Sequence, residues 1–193
     1  FYKKKTFERL KLFDQLEPFK GFFNCSINGQ LVPSVDELFG MVNWALICEG
    51  TPSRFHGDLQ FDNILYSTSA GFKLIDWRQD FSGLIEYGDR YYDYSKLLGG
   101  MVISYREIKA GNFTYKFESG DVRIKYPKAS ELDTVKEQYY RFLEKNGVDV
   151  QKACILTSLI FLNMAPLHSY PFSHLLYSLG RQSLNKSLNG KRL

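Results

Sequence analysis

Three polar side chains suited to phosphate chemistry lie between Phe55 and Trp77, in the stretch FHGDLQFDNILYSTSAGFKLIDW. Asp58 follows a His-Gly pair, and Asn63 comes five residues later. Asp76 ends the short β-prone run Phe72–Ile75. A carboxylate held after a tight turn can accept a proton from a hydroxyl group, and amide and carboxylate oxygens are ligands that Mg²⁺ prefers. A base beside two such ligands is what phosphoryl transfer from ATP requires.

The same residues also have a simpler interpretation. Asp, Asn and Gly are common turn formers, so Asp58 and Asn63 could serve only to shape a turn, and Asp76 could be a cap. Their occurrence together, with two β-prone runs between Asn63 and Asp76, favours the chemical interpretation. His168 and His174 are interpreted as surface or core residues of helices and not as metal ligands.

Composition bounds the class of protein. The chain has 193 residues, of which 44% are hydrophobic and 16% aromatic, as expected for a packed globular protein. A net charge of +4 suits an anionic small ligand such as a nucleotide but is too weak to indicate nucleic acid as a partner. The basic run Lys3–Lys5 is interpreted as a solvated helix start.

Cysteine usage and hydropathy indicate a reducing cytoplasm and no membrane partner. The three cysteines are widely spaced without a CxxC pair, which disfavours a disulfide framework or a zinc site. Cys48 and Cys154 are predicted to be small core residues. The most apolar segment, residues 154–164, contains Thr157, Ser158 and Asn163 and is predicted to be a buried helix instead of a membrane span.

The fold class predicted from the hydrophobic pattern is α+β and mostly helical, with short β-hairpins. Helices are predicted at 6–17 with a stop at Pro18, from a capping box at Ser34 and Glu37 to Gly50, from Asp89 to 105, from 130 to Gly147, from Asp149 to Pro166, and at 171–189. The helix after 130 is expected to bury a stripe formed by Leu132, Val135, Tyr139, Phe142 and Leu143. Hairpins are predicted for 63–66 with 72–75 and, as an insertion, for about 112–127; residues 77–88 are predicted to be a loop.

The order of these motifs resembles a known family. The segments HGDLQFDN (56–63) and LIDW (74–77), followed by DRYYDYS (89–95), are similar to elements of the aminoglycoside phosphotransferase and choline kinase-like family, which has the protein-kinase-like fold. The resemblance implies that residues 1–193 are the C-terminal lobe of a small-molecule kinase. In this lobe 55–77 would be the catalytic loop and metal segment, and 89–193 a helical subdomain.

The resemblance also implies roles for single residues. Asp58 would be the catalytic base, and His56 would be a structural anchor of its loop. Asn63 and Asp76 would hold Mg²⁺ and thereby the bound ATP. Asp93 would stabilise the lobe through hydrogen bonds to the loop backbone. Phe61 and Trp77 are interpreted as packing residues.

Two positions depart from the family pattern and bear on the acceptor. Gln60, a candidate cofactor-binding residue, stands where relatives carry a cation, which weakens any cationic contact from this position to the transferred phosphate. Arg78 stands where some choline-type relatives carry an acid. An arginine counts against choline and favours a sugar or an acceptor that is already negatively charged.

The first 55 residues contain no Gly-rich strand-turn-strand, so the family's N-terminal β-lobe is expected to be absent from this chain. The missing lobe, or a fused upstream domain, would then be a partner. The expected function is transfer of the γ-phosphate of ATP to a hydroxyl of a sugar, amino alcohol or aminoglycoside-like acceptor, with this chain inactive by itself. The alternative is a non-catalytic kinase-like module that serves as an interaction scaffold.

Overall fold

The computed structural model describes residues 1–16, 21–127 and 130–193, and these form an α+β fold that is 55% helical with a few small sheets. The helices are α1 Tyr2–Leu16, α2 Val35–Met41, α3 Trp44–Cys48, α4 Arg90–Val102, α5 Tyr105–Lys109, α6 Ser130–Lys145, α7 Val150–Met164 and α8 Phe172–Leu188. The strands are β1 Ser26–Ile27, β2 Pro52–Ser53, β3 Ile64–Ser67, β4 Gly71–Leu74, β5 Gly88–Asp89, β6 Thr114–Glu118 and β7 Asp121–Lys125. The expected α+β class is confirmed.

Helix α7 lies at the centre of the core because nearly every side chain on it is apolar or small. It packs against α8, α4 and α1. Asp149 caps its start by accepting a hydrogen bond from the Lys152 N–H at 3.0 Å, as predicted. Pro166 follows its end in a short 3-10 turn. The window Val150–Leu167 is long and apolar enough to cross a membrane, but 72% of it is buried inside the fold, as in the core helix of a soluble protein.

Asp89 fixes the start of α4, the helix that faces the predicted catalytic loop. Its Oδ1 accepts hydrogen bonds from the N–H groups of Tyr91 at 3.1 Å and Thr51 at 2.9 Å. Its Oδ2 accepts a hydrogen bond from the hydroxyl of Tyr2 at 2.6 Å. The predicted cap is confirmed, and the same carboxylate joins α4 to α1 and to the β2–β5 ladder.

The two predicted hairpins are present. Strands β3 and β4 pair antiparallel from Ile64 opposite Leu74 to Ser67 opposite Gly71. Strands β6 and β7 pair antiparallel around the turn at Ser119. The second hairpin is more than an insertion, because β7 also pairs in parallel with β1 and forms a three-stranded sheet.

Several local predictions are wrong at positions where a polar residue interrupts a helical pattern. The helix expected to run to Gly50 divides into α2 and α3, because Asn43 caps a new start through its Oδ1 and the Leu46 N–H at 3.2 Å. Cys48, expected in the core, is exposed. Helix α4 ends at Val102, and Ser104 caps the separate helix α5.

The stripe predicted for α6 is buried only in part. Val135 and Phe142 are 41% and 50% exposed, whereas Leu143 is fully buried. Tyr140, which lies outside the predicted stripe, is also fully buried. The predicted stop at Pro18 and the Ser130 side chain lie outside the described residues.

Candidate active site

The loop that follows β2 is held by a carboxylate from the first turn of α4. Asp93 Oδ2 accepts the His56 N–H at 2.7 Å, and Oδ1 accepts the Gly57 N–H at 2.8 Å. The predicted hydrogen bonds between the loop backbone and Asp93, which accepts them, are therefore confirmed. Burial raises the pKa of the Asp93 carboxyl, while these two backbone bonds oppose that shift by favouring the charged form.

His56 joins the loop to the end of β4. Its side chain is buried, with Nδ1 accepting the Asp58 N–H at 3.2 Å and Nε2 2.8 Å from the carbonyl oxygen of Ile75. Because Nδ1 accepts, the proton lies on Nε2, which donates to Ile75. The Trp77 ring lies beside the imidazole with centroids 4.8 Å apart. The contacts fix the backbone on both sides of Asp58.

Gly57 is required by the geometry of this turn. Its φ is +81°, in the region that favours glycine. A Cβ at this position would lie 2.6 to 2.8 Å from the Cβ, Cγ and Cδ atoms of Arg78. The missing side chain thus lets the stem of Arg78 pack directly on the loop, where the Arg78 N–H also donates to the His56 carbonyl at 2.9 Å.

Asp58 lies among polar side chains. Lys96 from α4 places its Nζ 2.7 Å from Oδ1, and the two side chains are 11% and 23% exposed. Asn63 donates from Nδ2 to the Asp58 carbonyl at 2.9 Å and to Oδ2 at 3.3 Å. Gln60 makes a longer contact to Oδ2 at 3.5 Å. The structure therefore brings Asn63 and Gln60, two of the predicted cofactor-binding residues, into contact with Asp58, and adds Lys96 to them.

Asp76 reaches the same place through the β3–β4 hairpin. The Ile75 N–H donates to the Asn63 carbonyl at 3.0 Å, so the hairpin sets Asn63 next to the residue that precedes Asp76. Asp76 is exposed and has φ +59°, in the left-handed region that Asp and Asn adopt more often than other residues with a side chain. Asp58 and Asp76 line one open cleft of about 390 Å³. The hairpin explains the sequence interval between Asn63 and Asp76.

Of the two predicted Mg²⁺ ligands, Asp76 lines the cleft together with Asp58, and Asn63 is buried and hydrogen-bonded to Asp58; both carry oxygens of the type that Mg²⁺ prefers. The side-chain nitrogen of Asn63 donates a hydrogen bond to Asp58, so the side-chain oxygen of Asn63 is the atom that can bind a cation. The Asp76 carboxylate has no hydrogen bond or ion pair from the described part of the chain. Mg²⁺ in phosphotransferases takes one or two protein oxygens and completes its shell with phosphates and water, so two ligands suffice. Residues 1–16, 21–127 and 130–193 contain no cluster of three or more His, Cys, Asp or Glu side chains that could form a different metal site.

Lys96 is the site residue that sequence reasoning missed. It follows Asp93 by three residues, so the two lie on one face of α4. That spacing was the available signal, because a helix that presents Asp93 to the loop must present Lys96 to it as well.

The aromatic and histidine predictions have mixed outcomes. Phe61 is 40% exposed, and its ring packs over Gly100. Trp77 is 55% exposed and donates from Nε1 to the Leu74 carbonyl at 3.2 Å. His174 is buried in the core among aromatic rings, as expected.

A larger cavity of about 670 Å³ lies elsewhere, beside α6 and α8. It is lined by amide and lysine side chains, and its Lys136 pairs with Asp133 at 3.2 Å. None of the predicted site residues lines this cavity, so cavity volume alone does not identify the candidate active site.

Comparisons of the chain with protein-family models, with curated proteins and with solved structures found no match. What the site can do is therefore argued from the contacts of its own residues.

Proposed function

We propose that this chain is the catalytic lobe of an ATP- and Mg²⁺-dependent kinase that phosphorylates a hydroxyl group of a small molecule. The observation that carries the proposal is the placement of Asp58. It is fixed on a turn by Asp93 and His56, and it shares a cleft with the exposed Asp76, whose carboxylate has no hydrogen bond or ion pair from the described residues. A scaffold has no need to bring Asp58, Asn63 and Asp76 to one place.

Each residue of the site would have a separate role in such a reaction. Asp58 orients the acceptor hydroxyl and takes its proton as the oxygen attacks the γ-phosphorus, the bond to the β–γ bridging oxygen breaks, and ADP leaves. Asn63 and Asp76 would hold Mg²⁺, which when bound neutralises phosphate charge. His56 and Asp93 keep Asp58 in position through the loop backbone.

The resemblance to the aminoglycoside phosphotransferase and choline kinase-like family supports this assignment, since its three elements occur in order along the chain. The described residues around the cleft form no Gly-rich strand-turn-strand to cover the phosphates. Leu65, Tyr66 and Phe72 on the β3–β4 hairpin are 51%, 66% and 73% exposed. We infer that a second lobe or fused domain covers the nucleotide, and that the protein acts in the cytoplasm.

The test is ATP consumption by the full-length protein with a panel of sugars, sugar phosphates, amino alcohols and aminoglycosides, with and without Mg²⁺. The kinase proposal expects acceptor-dependent consumption that requires the metal. Residues 1–193 alone are expected to unfold cooperatively and to show negligible turnover. Efficient transfer by the 193 residues alone would mean that a nucleotide-binding element lies within the first 55 residues. The alternative, a non-catalytic scaffold, predicts no consumption with any acceptor.

A further inference from the structure

Two cationic side chains, those of Lys5 and Arg78, lie against Tyr92, a buried residue of α4, and Arg9 and Lys96 are close enough to Lys5 to act on it electrostatically. This cationic cluster comprises Lys5, Arg9, Arg78 and Lys96. Lys5 Nζ lies 5.3 Å from the centre of the Tyr92 ring and 3.3 Å from its hydroxyl oxygen. The Arg78 guanidinium carbon lies 5.5 Å from the same ring. Arg9 follows Lys5 by one helical turn and acts electrostatically on both Lys5 and Tyr92.

Among the described residues the cluster has carboxylates nearby, since Asp58 acts on Lys5 and Arg78 lines pockets with Asp76, Asp80 and Glu86, but most of its cations form no direct ion pair. Lys96 is paired with Asp58. Lys5, Arg9 and Arg78 have no ion pair with any described carboxylate. The nearby Asp93 carboxylate is occupied by two backbone N–H groups of the loop.

Holding these cations together costs stability, and the lowered pKa of Lys5 is a sign of that cost. Burial and the neighbouring cations lower the pKa of Lys5 to about 8, with Asp58 giving a smaller opposing effect. Lys5 and Arg9 are like charges one turn apart on a helix, an arrangement that weakens a helix by itself. The direct contacts of Lys5 are to uncharged groups, the Phe1 and Tyr92 rings and the Tyr92 hydroxyl, so a bound anion would supply the opposite charge that these contacts lack.

The cluster is continuous with the candidate active site through Arg78. Arg78 lines the same cleft as Asp58 and Asp76. Its stem packs on Gly57, so its position is tied to the turn that holds Asp58. A molecule whose hydroxyl reaches Asp58 therefore has the guanidinium of Arg78 beside it.

We propose that the cationic cluster binds an anionic group, a phosphate or carboxylate, of the acceptor, so that the substrate class is a hydroxyl compound that already carries negative charge. The assignment of the bound compound as acceptor rests on the proposed function. The binding of the anion rests on the cluster alone. One guanidinium group can donate two parallel hydrogen bonds to a phosphate or carboxylate, which suits Arg9 and Arg78 to binding such an anion.

The preference for an anionic acceptor depends on where its charged group binds. Arg78 lines the cleft together with Asp58, Asp76 and Asp80, whereas Lys5 and Arg9 do not line it. Like charges at short range repel, so a negative group is favoured beside Lys5, Arg9 and Arg78 and not beside these carboxylates.

The binding test uses inorganic phosphate as the probe and the full-length protein without ATP or Mg²⁺, at constant ionic strength. Calorimetric titration is expected to give saturable binding. Arg78→Gln and Arg9→Gln should each weaken it by about tenfold, the loss of one charge-assisted contact. The control is Lys116→Gln, which removes an exposed cation of β6 and should leave affinity unchanged. Circular dichroism verifies that each variant is folded.

Two further measurements are needed. One distinguishes an acceptor anion from a phosphate of the nucleotide, and the other distinguishes failure of the anion site from failure of the kinase proposal. Phosphate bound at an acceptor subsite should remain bound when ADP and Mg²⁺ are added; displacement that depends on Arg78 would assign the cluster to the nucleotide and overturn the inference. Equal effects of Arg78→Gln and Lys116→Gln, or no saturable binding, would also overturn it. Saturable binding without phosphoryl transfer to any acceptor would leave the anion site standing and refute the kinase. Transfer to neutral or cationic acceptors at a rate that Arg78→Gln does not change would support the kinase and refute the anion site.

Discussion

Lys96 Nζ lies 2.7 Å from Oδ1 of Asp58, in a pair whose side chains are 11% and 23% exposed. The lysine comes from the same face of α4 as Asp93, which holds the backbone on the N-terminal side of Asp58. One helix therefore positions both the turn and the carboxylate. The position of Asp58 depends on the packing of α4 as much as on the loop sequence.

Lys96→Met is expected to destabilise the fold because it leaves a largely buried carboxylate without its cation. The expected loss is about 2 kcal/mol or more in the free energy of unfolding, measured by urea denaturation. Lys109→Met is the matched control, since Lys109 pairs with Asp62 at the same 2.7 Å but with side chains 73% and 42% exposed. Its loss should be under about 1 kcal/mol. Equal losses of stability in the two variants would show that the Lys96–Asp58 pair has no special role. The double variant Asp58→Asn/Lys96→Met should recover part of the stability that Lys96→Met loses.

Asp76→Asn is expected to weaken metal-dependent nucleotide binding. Asn tolerates the left-handed backbone at this position, so the substitution removes the charge with little change in the fold. Calorimetry of ADP binding at increasing Mg²⁺ should show an affinity lower by about tenfold or more, the loss of one charged ligand. Glu86→Gln, an exposed acid outside the cleft, is the control. An unchanged Mg²⁺ dependence in Asp76→Asn would show that Asp76 is not a ligand.

Gly57→Ala is expected to disrupt the turn for two separable reasons. Gly57 has φ +81°, and an added Cβ would meet the Arg78 stem at 2.6 to 2.8 Å. Gly29 has φ +73° with nothing within 4 Å of the added atom, so Gly29→Ala isolates the backbone cost. We expect a loss of about 1 kcal/mol for Gly29→Ala and about 2 kcal/mol or more for Gly57→Ala in thermal unfolding. Similar losses would mean that Arg78 does not pack on the turn.

His174 is expected to make stability depend on acid pH. Burial lowers its pKa to about 4, below the value of about 6.5 for an unfolded chain. The unfolded chain therefore binds more protons in this range. The stability that comes from the neutral imidazole is complete above about pH 6.5 and is lost as pH falls toward 4, by about 2 to 3 kcal/mol.

The check is the slope of unfolding free energy against pH in His174→Phe, which keeps an aromatic ring among Phe22 and Tyr115. This slope should be shallower between pH 6.5 and 4 than in the unsubstituted protein. His168→Phe changes an exposed ring whose pKa is also lowered, by partial burial and by Lys96, so it should reduce the slope, but by less than His174→Phe does. If the His174 variant keeps the full slope, another group controls acid stability.

Features that depend on short stretches of sequence were predictable. The caps at Asp89 and Asp149 and the capping box at Ser34 and Glu37 use side chains that bond to backbone two or three residues away. The β3–β4 hairpin follows from alternating β-prone runs around a turn. For the same reason the contacts among Asp58, Gln60 and Asn63 could be expected from the sequence.

Features that depend on distant partners were not predictable. Arg181 is fully buried because backbone carbonyls of the 22–33 segment, including Pro33 and Cys25 at 2.8 Å each, accept its N–H groups. Nothing near Arg181 in the sequence indicates those acceptors. Likewise Lys5 and Arg78, which are far apart in the sequence, come near each other only because both lie against the Tyr92 ring of α4. The break at Asn43 was missed because the flanking residues continue a helical pattern.

The measurement that tests the central claim most directly compares phosphoryl transfer by the full-length protein with that of Asp58→Asn. Wild type is incubated with γ-labelled ATP, Mg²⁺ and the best acceptor of the panel, and label on the acceptor is counted. Asp58→Asn should lower turnover by about 10² to 10⁴-fold with the fold retained by circular dichroism, because a positioned general base contributes that much. Asp62→Asn, four residues away and exposed, should keep turnover within a few-fold. Turnover in Asp58→Asn equal to that of Asp62→Asn would contradict the assignment of this site as the place of phosphoryl transfer.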